Sequence, residues 1–205
     1  MIYLFLFIAY CLGSLSFAIL VSKFMKIDDP RSYGSGNAGA TNVMRSGNKK
    51  AALLTLLGDL LKGTFVVLFT RYYFHGFNSG EVIVSLCGIM VVIGHIYPVF
   101  FKFKGGKGVA TSIGVLLGFN LWLALLLAIT WLVVFKFSKI SSFAALIATI
   151  LAPVYAYMLM GNNAYFGATL IIAFFVLYRH KANIVRLISG QESKFTKEQN
   201  EPKNK

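Results

Sequence analysis

The sequence predicts an all-α polytopic membrane bundle of seven transmembrane helices, with the N-terminus outside and the C-terminus cytoplasmic. Three observations carry that reading. The chain of 205 residues is 57% hydrophobic and only 13% charged, against about 25% charge in a soluble domain. Its apolar runs are continuous and rich in Leu, Ile, Val and Phe without strict alternation, the pattern of helices and not of an outer-membrane barrel. Its basic residues, which give a net charge of +13, lie almost wholly in the loops, so they report topology before they report an anionic partner such as nucleic acid, and none is expected.

The elements follow in order. Residues 2–22 form a first span, and it is not a cleaved signal, because Lys23 and Lys26 follow the run instead of preceding it. Residues 51–70, 82–101, 143–160 and 164–178 are further spans. The uncharged stretch from Val109 to Phe135 has 27 residues; as one helix it would be roughly 40 Å long against a hydrocarbon core of ~30 Å. Divided near Gly118-Phe119-Asn120 it yields two short helices. Charge chooses between the readings, because each added span flips every later loop. With the division, 18 of the 20 Lys and Arg fall on one face, leaving only Arg71 opposite and Lys62 inside a span, as the positive-inside rule requires. Residues 1–192 then form a single membrane domain, and 193–205 reads as a disordered polar cytoplasmic tail. Cys11 and Cys87 lie in apolar runs, so neither a disulfide nor a metal site is expected.

The same topology gathers loops 23–50, 102–108, 136–142 and 179–192 on the cytoplasmic face, and these hold the chemistry. In the first, Gly34-Ser35-Gly36-Asn37-Ala38-Gly39-Ala40-Thr41-Asn42-Val43-Met44-Arg45 reads as an anion cradle. Its glycines free backbone N–H groups to converge, and Ser35, Asn37, Thr41, Asn42 and Arg45 add donors. It formally matches the dinucleotide fingerprint, but it follows a membrane span and not a β-strand, so a dinucleotide is not expected. The second loop, Lys104-Gly105-Gly106-Lys107-Gly108, lacks the Ser or Thr of a P-loop, yet it feeds N–H groups and ammonium groups into a helix N-terminus. In the third, His180, Asn183 and Arg186 are spaced to share one stripe if the last helix continues. Bland readings stand beside these: a flexible loop, a lysine turn that anchors topology, a juxtamembrane helix with snorkelling ends. Ser141 and Ser142 read as N-cap candidates. Asp59 and Lys62, three apart in a span, would cost about 2.5–3.5 kcal/mol each unpaired; an ion pair accounts for them as well as a substrate contact does. His95 reads as a packing histidine.

Taken together, the three loops resemble the motifs of the bacterial acyl-phosphate-dependent glycerol-3-phosphate acyltransferases, the PlsY family. Ser35 to Arg45 resembles the first motif, Gly105 to Thr111 the second and His180 to Glu192 the third, and the likeness runs from the first loop to the last. It implies transfer of a fatty acyl group from acyl phosphate to the 1-hydroxyl of sn-glycerol 3-phosphate at the cytoplasmic face of a bacterial inner membrane, without a cofactor. It further implies Ser35, Arg45, Lys104, His180 and Asn183 as catalytic residues, with Gly36, Asn37, Gly39, Thr41, Asn42, Gly105, Gly106, Lys107, Gly108, Ser142 and Arg186 binding phosphate. Because acyl phosphate is already activated, the expected task is to position two anions and stabilise the leaving phosphate. Ser35, the first loop's N–H groups and Arg45 would hold the acyl phosphate; Lys104, Ser142, His180 and Asn183 would hold glycerol phosphate. A monomer would suffice. The His and Asp dyad of other acyltransferases is absent, since no aspartate lies five positions after His75, His95 or His180. The alternative from another class is a membrane carrier of phosphate or an organophosphate, with these loops as its gate.

Overall fold

The computed structural model describes residues 1–195, and they are all-helical apart from loops. Ten α-helices follow one another: α1 Ile2–Gly13, α2 Phe17–Phe24, α3 Ala40–Met44, α4 Lys49–Tyr73, α5 Gly80–Ile96, α6 Val109–Phe119, α7 Leu121–Ser138, α8 Ser141–Met160, α9 Ala164–Arg179 and α10 Lys181–Ile188. Four segments are long and apolar enough to cross a bilayer: Lys49–Tyr73, Gly80–Phe101, Leu121–Ser138 and Ser141–Met160. Counting α1 with α2 and α9 with α10 as bent spans makes six, and α6 is a shorter apolar helix. The tail expected from Ser193 onward begins with a docked segment: the Phe195 amide donates to Lys139 O at 2.8 Å and its ring meets Phe135. Residues 196–205 of that expectation lie outside the described residues.

The 109–135 stretch divides where expected. Asn120 leaves helical geometry and its side chain accepts from the amides of Trp122 and Leu123, so one residue ends α6 and caps α7. Two expectations of continuity need correction. The first span, expected unbroken over 2–22, bends by 45° between α1 and α2; the carbonyls of Gly13 and Leu15, which the break leaves unpaired in the helix, accept from the buried Lys62 ammonium at 3.0 and 2.7 Å. The last helix does not carry on through the third motif either. It turns by 59° at His180, between α9 and α10, so the three residues share the separate helix α10, with His180 as its N-cap, and not a continuation of α9.

Close backbone approach at glycine holds the centre. A Cβ on Gly114 would collide with Leu60 O and one on Gly63 with Thr111 O, which draws α6 onto α4. Gly13 and Gly94 join α1 to α5 in the same manner. Such small-residue contacts are how membrane helices gain packing where lipid supplies no hydrophobic drive. Val67, Val84, Val91, Ile96, Val115, Leu123 and Val176 fill the core, and α7 is the least buried of the four long spans, burying only Leu123, Ala124 and Leu127.

Candidate active site

The first loop is tied by a single side chain. Asn42, buried on α3, accepts from the Ser35 amide at 2.9 Å and donates to Pro30 O and Tyr33 O at 2.5 and 3.1 Å. Gly34 must pass under it in the left-handed region, φ +59°, where a Cβ would strike Asn42 Oδ1. The amide of Asn42, expected among the phosphate donors, is thus spent on shaping the loop. Gly36 also turns left-handed, Gly39 caps α3, Asn37 lies beside Gly39, and Ser35 is exposed. Thr41 and Arg45 reach distant segments: Thr41 Oγ1 is 3.2 Å from Ser141 Oγ at the start of α8, and Arg45 donates to Ser193 Oγ, just past the third motif, at 3.0 Å.

The second loop is recessed. Gly105, Gly106 and Gly108 are buried, Gly106 N–H donates to His95 O at 3.2 Å, and Gly108 at φ +92° starts α6. Lys107 reaches across to donate to Asn183 Oδ1 at 2.6 Å. Lys104 points elsewhere, into an open groove lined with Arg31, Phe100, Phe101 and Lys102.

The third motif closes the site around a carboxylate. Glu192 Oε1 accepts from Ser142 Oγ and Asn183 Nδ2, both at 2.6 Å, and Oε2 accepts from Arg186 Nε at 2.6 Å. Burial raises the Glu192 pKa, but the hydrogen bonds from Ser142, Arg186 and Asn183 outweigh it and hold the carboxyl below its ordinary value. Lys107 is pushed the other way, down to about 8, first by burial and then by Arg186, Arg179 and Arg45, with Glu192 opposing. His180 is buried and its Nδ1 is 2.7 Å from Val176 O; a carbonyl can only accept, so Nδ1 carries the proton and Nε2 is the open acceptor of the neutral ring.

Neither Ser141 nor Ser142 caps α8. Ile140 occupies that position, so the N-cap reading is corrected: both hydroxyls turn sideways to Thr41 and Glu192, as they can only once the loops meet. Lys107, Ser142, Asn183, Arg186 and Glu192 therefore belong to one polar cluster with Arg45 near Lys107, while Thr41 reaches the neighbouring Ser141, Ser35 is exposed and Lys104 lies in the separate groove. Glu192 itself was inside the third motif without an assigned part. A lone carboxylate amid Arg186, Lys181 and Lys194 was the available signal.

Donors around an anion, set in a membrane bundle, match what the chain resembles. The family model for glycerol-3-phosphate acyltransferase matches residues 3–190. This chain belongs to the glycerol-3-phosphate acyltransferase family. The glycerol-3-phosphate acyltransferase of Chromobacterium violaceum is 53% identical over 191 residues, 93% of either chain, and that of Neisseria meningitidis serogroup C is 52% identical over 187 residues, 91% of this chain and 94% of the relative. Crystal structures of PlsY (YgiH), an integral membrane glycerol 3-phosphate acyltransferase, superpose over nearly the whole length. Its glycerol 3-phosphate form gives a TM-score of 0.88 at 36% identity over 95% of this chain and 96% of that one; its lysophosphatidic acid form gives 0.87 at 35% over 97% of each. The acyltransferase is thus an integral membrane enzyme, and family membership replaces the carrier alternative. The resemblance of the chain to the PlsY family holds.

Proposed function

We propose that the enzyme transfers a fatty acyl group from acyl phosphate to the 1-hydroxyl of sn-glycerol 3-phosphate, forming lysophosphatidic acid and phosphate. The observation that carries this is the meeting of Ser142, Asn183 and Arg186 on one anionic group, the Glu192 carboxylate, with Lys107 hydrogen-bonded to Asn183 and Arg45 close enough to depress the Lys107 pKa. Donors and cations exceed what one carboxylate needs, which suits a site for phosphate oxygens. The glycerol 3-phosphate and lysophosphatidic acid forms of the PlsY relative fit the same substrate and product here.

In the reaction, the glycerol hydroxyl oxygen attacks the acyl carbonyl carbon, the carbonyl–phosphate oxygen bond breaks, and the hydroxyl proton passes to the departing phosphate. No strong protein base is required. The first loop's N–H groups, Ser35 and Arg45 hold the acyl phosphate; Ser142, His180 and Asn183 hold glycerol phosphate, and Lys104 turns in from the neighbouring groove to join them; Asn37, Thr41, Gly36, Gly39, Gly105, Gly106, Lys107, Gly108 and Arg186 complete the cradle. Residues 1–192 act as one domain with seven crossings, N-terminus outside, the site on the cytoplasmic face of the inner membrane and a monomer as the working unit. The recessed second loop supports the seventh crossing: α6 has 11 residues, about 17 Å, and the loop before it lies inside the protein, where irregular backbone at membrane depth is tolerated.

Purified enzyme in detergent, given acyl phosphate and glycerol phosphate, should release phosphate and lysophosphatidic acid in equal amounts. Product from acyl-CoA but not acyl phosphate would overturn the donor.

A further inference from the structure

Asp59, Lys62 and His95 are buried in the bundle, and the reaction as written uses none of them. Lys62 Nζ stands 2.8 Å from Asp59 Oδ1, 3.1 Å from His95 Nδ1 and within hydrogen-bond distance of Gly13 O and Leu15 O. Asp59 Oδ1 is also 3.4 Å from His95 Nδ1. An ion pair this deep is poor evidence of stability, because desolvation cancels most of its attraction. Its position is more telling.

His95 is the surface on which the second glycine loop rests. Its carbonyl accepts from the Gly106 amide at 3.2 Å, and a Cβ on Gly105 would collide with that carbonyl. A Cβ on Gly106 would meet the imidazole Nε2 on one side and Ala38 O, from the first loop, on the other. The ring edge therefore lies at the junction of both glycine loops. The Lys62 ammonium and the Asp59 carboxylate both lie against Nδ1, so they fix one edge of the ring while Nε2 faces this junction.

We propose that Asp59, Lys62 and His95 form a buried positioning triad that seats Gly105 and Gly106 against the first loop and thereby sets affinity at the glycerol phosphate subsite. Lys62 and Asp59 orient the ring; the ring and its carbonyl orient the loop; the loop carries Lys104 and Lys107. The triad acts through the loop and does not touch substrate. The inference rests on the reading of the reaction given above.

The test pairs two variants. Replacing Asp59→Asn and Lys62→Met together removes both charges, so no unpaired ion is left buried. His95→Asn keeps an acceptor near the place of Nδ1 for Lys62 while deleting the edge that meets Gly106. In each, KM for glycerol phosphate should rise about tenfold or more while KM for acyl phosphate stays within about threefold, with the thermal midpoint near that of the parent. Normal KM values for both substrates in a folded variant would overturn the proposal, and should the double variant fail to fold, His95→Asn decides alone. Calorimetric binding of glycerol phosphate, measured on the parent and on both variants, separates this from the reaction assignment. A parent that binds glycerol phosphate but forms no lysophosphatidic acid would sink the reaction and leave the triad testable by that affinity; unchanged affinity in His95→Asn would sink the triad and leave the reaction standing.

Discussion

Arg45 links the first loop to the C-terminal segment through its bond to Ser193, and its Nε is buried without a hydrogen-bond partner among the described residues. Half of a planar fork is thus held ready for an anion. Arg45→Lys keeps the charge and loses the fork. Turnover should fall by about ten- to a hundredfold, the worth of a charge-assisted hydrogen bond of roughly 1.5–3 kcal/mol, with the thermal midpoint unchanged; near-normal steady-state rates would argue against two-point contact. Lys107 supplies a pH test. Burial lowers its pKa to about 8, so its ammonium is complete below that value and lost as pH rises through it. An anionic ligand favours the ammonium, so glycerol phosphate should bind best below pH 8 and its KM should climb from about 8 upward, by at most about tenfold per pH unit for one proton. Lys107→Met should flatten that climb in initial-rate profiles taken from pH 7 to 9.5. A climb that survives the substitution would assign the titration to another group.

At the scale of elements, α6 is the part that ties chemistry to packing. It begins at Gly108, directly after the second loop, and it lies on α4 through Gly63 and Gly114. Gly114→Val would drive a side chain into the Leu60 carbonyl, forcing the helices apart. The expected cost is about 1–3 kcal/mol or more, read as a lower melting temperature, with activity falling too because the loop must follow the helix. Gly167, on α9, has open space where its Cβ would be. Gly167→Ala should therefore stabilise by about 0.5–1 kcal/mol through helix entropy alone. If both changes proved neutral in thermal denaturation, the close α4–α6 contact would not be what holds the second loop. The sequence could show that these glycines interrupt apolar runs. It could not show which of them meet another backbone, because that depends on which helices become neighbours.

For the whole molecule, sidedness is the open geometric claim. With Cys11 and Cys87 replaced, a single cysteine at Ser46 should react with an impermeant thiol reagent only after cells are opened, whereas one at Asn78 should react from outside. Both positions are exposed. The reverse labelling pattern would invert the proposed orientation.

Composition and run length alone determined that the chain is an α-helical membrane protein, since a segment so apolar has no stable place in water and must satisfy its backbone internally. The break near Gly118-Phe119-Asn120 was legible from the length of the uncharged run and the sidedness of the basic loops; the structure adds that Asn120 caps α7. The three loops were legible as anion-seeking because glycine and basic side chains carry that tendency without partners. What only the tertiary structure decided was allocation. Asn42 turned from ligand candidate to loop knot, Ser141 and Ser142 from caps to cross-loop donors, and Glu192 became the point where Ser142, Asn183 and Arg186 meet. Each of these depends on hydrogen bonds between residues 6 to 100 positions apart, and such distances are closed by the packing of the bundle.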